Sequence, residues 1–116
     1  MTLEGRMTDV CEVWTRTAES DTWTCTQRDL PARISLLQPG GQRREFMAGG
    51  ASEATHTARM QYAHSVWVKA GRRLRVQSSP TITAGTEYAI EVVRARPEPR
   101  PGFLTVLLVE EKATLP

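Results

Sequence analysis

The chain has 116 residues, 40% hydrophobic and 24% charged, a size and balance that give one globular domain with a real core and exclude wholesale disorder. Its net charge of +2 is too small to mark a dedicated nucleic-acid binder, although basic residues are skewed to thirteen Arg against two Lys. No apolar run approaches the roughly 18 residues needed to span a bilayer, and MTLEGRMTDV lacks the apolar stretch of a secretion signal, so a soluble, non-exported protein with no membrane partner is expected.

In chain order the signal is strand after strand. DVCEVWTR (9–16) is short and rich in β-formers, and AESD supplies turn residues. TWTCTQ (22–27) suits a second strand, which RDLP breaks or bends because Pro31 cannot donate to a ladder. ARISLL (32–37) resumes and runs into Pro39-Gly40-Gly41. After residue 53, His56, Ala58, Met60 and Tyr62 alternate with Thr57, Arg59 and Gln61, a period of two with the apolar set on one face. AHSVWVKAG is the one stretch where a helical turn competes; it reads as a loop or short strand closed by Gly71. RRLRVQ places Leu74 and Val76 inward and Arg73 and Arg75 outward. EYAIEVVRAR (87–96) alternates Tyr88, Ile90 and Val92 against Ala89, Glu91 and Val93, and PEPRPG is a stiff connection. FLTVLLVEE (103–111) is apolar on both faces and is expected to be covered on both sides.

These elements predict an all-β protein: a small six- to seven-stranded antiparallel β-barrel or sandwich with one long loop. A single domain spans residues 1–116, with the loop at 39–52 and a loose tail at 112–116.

Residue chemistry argues against an enzyme. Cys11 and Cys25 match neither a zinc pattern nor a CxxC redox pair and are expected as reduced, partly buried thiols. His56 and His64 lack the further convergent ligands that a metal site needs. Glu110 and Glu111 are adjacent strand positions that point to opposite faces, so they make no acid–base pair. No nucleophile elbow and no phosphate-cradling glycine loop is present, and neither metal nor cofactor is expected. A small barrel that binds nucleic acid through Trp14, Trp23, Tyr62, Trp67, Tyr88, Arg73 and Arg75 is an alternative of a different class.

The segment QPGGQRREFMAGGASE (38–53) is long for a loop in a small domain. Gly40 and Gly41 at one end, and Gly49 and Gly50 at the other, permit hinge-like backbone conformations. Between them Arg43 and Arg44 carry charge, followed by Glu45, while Phe46 and Met47 carry apolar surface that a monomer gains nothing by exposing. As a hairpin the segment has a reach of roughly 15–20 Å.

The order of the pieces resembles the head-closure proteins of long-tailed bacteriophages, also called stopper or head–tail joining proteins. The resemblance runs through DVCEVWTR, ARISLLQP, the glycine-containing loop, THTARMQY, GRRLRV, GTEYAIEVV and FLTVLLVEE, and GTEYAIEVV carries most of it. Departures fall at Ser20-Asp21-Thr22, Pro31 and Gln61-Tyr62 and bear on subfamily. The resemblance implies a structural protein of the virion neck, assembled in the host cytoplasm. It would form a ring by self-association, join the portal or adaptor ring of the capsid, and seal the channel over packaged double-stranded DNA. It would also present a docking surface to a tail-completion or tail-terminator protein. It makes residues 39–52 the channel plug and leaves Arg72, Arg73, Arg75, Arg94, Arg96 and Arg100 as candidate contacts between subunits or to partners. A tail-completion or tail-terminator protein is the neighbouring reading.

Overall fold

Alternating apolar residues give the chain one inward face per strand, and six such strands close on themselves. The computed structural model describes residues 7–17, 19, 21–37, 54–98, 100 and 102–116. Within them lie β1 (Asp9–Arg16), β2 (Trp23–Leu36), β3 (His56–Gln61), β4 (Arg73–Ser78), β5 (Glu87–Arg96) and β6 (Phe103–Glu111). All neighbours are antiparallel, and the order β1-β2-β3-β6-β5-β4 returns to β1. The expected all-β antiparallel barrel is therefore present, with six strands and full closure, which leaves every strand a partner on both sides.

The core follows the period of two. Cys11 and Val13, Ala32 and Ile34, Ala58 and Met60, Leu74 and Val76, Tyr88 and Ile90, and Leu104, Val106 and Leu108 all point inward and are buried. β6 is covered on its outer face as well. Leu107 packs there against Leu37, Ala54 and Val92 in a second, smaller cluster.

Four features differ from the sequence reading. First, the pieces at 22–27 and 32–37 run together as one strand, β2, so RDLP does not break it. RDLP is accommodated by register shifts against β1 between Cys11 and Trp14. Asp29 takes a positive φ of 58° at this irregularity, and Gln77 of β4 bonds it twice, accepting from its backbone N–H (2.7 Å) and donating to its carboxylate (3.1 Å). Pro31 sits beside this bulge, one of the few places a sheet admits proline. Second, β5 also bulges, between Ile90 and Val92. The extra residue, Glu91, flips the phase, so Val93 rather than Val92 joins the main core.

Third, Tyr62–Val66 is a 3-10 turn rather than a loop or strand. It packs on β3, β5 and β6, while Tyr62, Trp67 and Val68 reach the core. Fourth, the tail at 112–116 has no regular structure yet is tied down. The backbone N–H groups of Thr114 and Leu115 donate to the Glu87 carboxylate (3.0 Å each).

One glycine is required by space. Gly102 ends the β5–β6 connection with φ 67°, and a Cβ there would lie 2.7 Å from the Pro97 carbonyl oxygen.

Candidate functional site

Arginine sits on two outer faces of the barrel, in two different settings. On the first, strand register places Glu12 opposite Arg75 and Arg75 opposite Glu87, so charges alternate across β1, β4 and β5. Arg75 Nε donates to Glu12 Oε1 (2.7 Å), and the guanidinium lies 4.6 Å from the centre of the Trp14 ring. Trp14 Nε1 donates to the same carboxylate oxygen (3.1 Å), and Arg28 pairs with the other oxygen (3.5 Å). Arg73 repeats the arrangement, stacked 4.8 Å over Trp23 and paired with Glu87 (3.3 Å). The tail covers the row, since Arg73 donates to Thr114 Oγ1 and Arg75 to the Pro116 carbonyl. Glu12 and Glu87 end up buried, each with its oxygens bonded.

On the second face register brings like charges together. Arg33 of β2 lies opposite Arg59 of β3, Arg59 opposite Thr105 of β6, and Thr105 opposite Arg94 of β5. The next row is Gln61, Phe103 and Arg96. Arg33, Arg59, Arg94 and Arg96 are all exposed. The paired segments 31–35, 57–61, 92–96 and 103–107 hold these four arginines and no Asp or Glu. Arg33, Arg59 and Arg96 make no ion pair among the described residues; Arg59 stacks 4.6 Å over Phe103 instead. Like charges directly opposite across strands destabilise a sheet. This row therefore costs stability that the first face gains from its Glu–Arg–Glu alternation.

The arginines singled out from sequence are thus divided. Arg73 and Arg75 are engaged within the subunit, and Arg72 donates to the Trp67 carbonyl (2.7 Å). Arg94 and Arg96 belong to the second face, and Arg100 is exposed in the β5–β6 connection. Arg33 and Arg59 complete that face and were not singled out. Their outward phase is visible in ARISLL and THTARMQY, but only the pairing of β2 with β3 shows that they meet. The plug-loop residues Gly40, Gly41, Arg43, Arg44, Glu45, Phe46, Met47, Gly49 and Gly50 lie outside the described residues. The residues that flank them are held together: Leu37 N–H donates to the Thr55 carbonyl (3.1 Å), Thr55 N–H donates to the Leu108 carbonyl (2.9 Å), and Leu37 and Ala54 are buried against Leu107.

The remaining titratable groups are shaped by burial. The Cys11 thiol is pushed up to about 12 by burial, with Asp9 and Glu12 adding to it, so it is held as a thiol. Tyr88 is likewise raised to about 12, chiefly by burial. Both cysteines are free. Burial lowers His64, whose Nε2 has no hydrogen-bond partner among the described residues. His56 is lowered by burial, opposed by Glu110, and its ring meets Tyr88 edge-on at 5.0 Å. Among the described residues no group of three or more His, Cys, Asp and Glu could hold a metal ion, and no helix is long and apolar enough to cross a membrane. No protein-family model matches the chain, and no curated protein matches it.

Proposed function

We propose that the protein is a ring-forming subunit of a bacteriophage neck, a head-closure or stopper protein that joins the portal or adaptor ring and seals the channel after DNA packaging. It offers the tail a docking surface, enters the virion, and assembles in the host cytoplasm. A closed antiparallel barrel supports this reading, because it is the architecture the family resemblance implies. The observation that carries it is the clamp where β2 and β3 hand the chain to residues 38–53. The Leu37–Thr55 backbone bond and the buried Leu37, Ala54 and Leu107 give that inserted segment a firm root on the barrel wall. In this reading residues 39–52 are the channel plug.

Two assays test the proposal. The purified chain should add a ring to isolated portal–adaptor complexes, seen by electron microscopy; failure to add would refute the neck assignment. Deleting residues 41–50 should leave the far-ultraviolet β-spectrum intact, since the clamp residues remain, while capsids built with the variant lose DNA. Full DNA retention by those capsids would refute the plug role.

A further inference from the structure

We propose that the outer face of β2, β3, β6 and β5, with Arg33, Arg59, Arg94 and Arg96, binds the phosphate backbone of a nucleic acid. This goes beyond the neck assignment and does not depend on it.

The charge pattern is the first ground. Arg33, Arg59 and Arg94 form one row across four strands, and Arg96 lies two residues along β5 from Arg94. Neighbouring strands are about 4.8 Å apart, so the row spans about 14 Å. Arg33 and Arg59 face each other directly, no carboxylate lies in the four paired segments, and these two repel one another in the free subunit. A polyanion laid along the row relieves that repulsion.

The second ground is what the face lacks. Protein interfaces have an apolar, charge-depleted centre, whereas nucleic-acid interfaces are polar and positive. The large hydrophobics exposed among the described residues are Leu36 and Val66, and neither lies in the arginine rows. Phe103, the aromatic of this face, is roofed by Arg59. An acidic protein partner would find no apolar centre to bury here.

Hydroxyls supply the third ground. Beside Arg33 the surface dips into a groove lined by Thr8, Ser35 and Thr81, whose side chains can donate to phosphate oxygens. Asp9 also lines the groove, but it is buried, and its carboxylate oxygens accept from the Ile34 N–H and the Ser79 hydroxyl. All four cations are arginine, whose planar fork matches phosphate in a bidentate way. Backbone contacts carry no base preference, so binding should be insensitive to sequence.

Fluorescence anisotropy with the full chain and labelled 20-mers, one single-stranded oligo-dT and one mixed-sequence duplex, tests this. At low salt at least one should bind, with log K falling against log salt at a slope of about −3 for four phosphate contacts. The arm that binds more tightly identifies the source of the phosphate. The triple variant Arg33→Gln/Arg59→Gln/Arg96→Gln should bind at least about tenfold more weakly with a slope nearer −1. Lys112→Gln, in the tail that docks on the Glu12–Arg75–Glu87 face, should leave both unchanged. A thermal melt establishes that the triple variant is folded, and Arg33→Gln alone, an exposed change, should lower the slope by about 1. No binding to either oligonucleotide, an unchanged slope in the variants, or displacement by poly-glutamate at equal charge concentration would overturn the proposal.

Discussion

Two outer faces of one small barrel use the same side chain to opposite effect. Across β1, β4 and β5 the register reads Glu12, Arg75, Glu87, and Arg75 and Arg73 sit over the Trp14 and Trp23 rings and bond to the tail. Across β2, β3, β6 and β5 it reads Arg33, Arg59, Thr105, Arg94, with no carboxylate between. The first face is a brace: its two carboxylates are buried and its charges are paired inside the subunit. The second is a charged surface held together in spite of its own repulsion. Counting arginines does not separate them; the residue facing each one does.

Glu87→Ala breaks the comparison hardest. It removes the acceptor for Arg73, Thr114 and Leu115 at once and leaves a largely buried cation, so urea unfolding should show a loss of about 3–5 kcal/mol. The tail should be released as well, which limited proteolysis within 112–116 would detect. Leu107→Ala comes next. It empties the outer cluster beneath the root of residues 38–53 and should cost about 2–4 kcal/mol, read in the same titration. Gly102→Ala forces a Cβ against the Pro97 carbonyl at positive φ, where Arg96 and Phe103 are paired across the connection. It should cost about 1–3 kcal/mol and lower the melting temperature accordingly.

The pH response sharpens the comparison without mutation. His64 and His56 have lowered folded-state values, so the stability they contribute is present above their ordinary 6.5 and is lost as pH falls through the folded values. Cys11 and Tyr88 are raised, so their contribution is present below 9.0 and 10.0 and fades as pH climbs toward about 12. Urea midpoints measured between pH 5 and 11 should therefore fall at both ends. Replacing the face arginines Arg33 and Arg59 should not move either limb, because those residues are not among the charges that shift these four groups.

Much of the barrel was legible in residue order. β1 and β6 lie where DVCEVWTR and FLTVLLVEE placed them, because an unbroken β-forming run between turn signals leaves few alternatives. The inward phase of Leu74 and Val76 was equally readable. The bulges were not. Asp29 adopts a left-handed conformation that its side chain tolerates but that nothing beside it demands, and Gln77, which braces it, is 48 residues away. At the β5 bulge both Val92 and Val93 are apolar, so alternation could not show which one turns inward. The candidate face lay deeper still. Arg33 and Arg59 sit either side of residues 38–53, and only β2–β3 pairing makes them neighbours. Glu12 and Glu87 occupy outward positions, as alternation requires; their burial comes from stacked arginines and from a tail whose sequence shows no sign of docking.

The contrast between the two faces is tested most directly by urea unfolding of two double variants at low and high salt. Arg33→Gln/Arg59→Gln should raise stability by about 0.2–1 kcal/mol at low salt, and salt should shrink the gain by screening the repulsion it removes. Arg73→Gln/Arg75→Gln should lower stability at both salt concentrations, because Glu12 and Glu87 stay buried with fewer donors. If the first pair proves as destabilising as the second, the second face is also a brace and the distinction drawn between them is wrong.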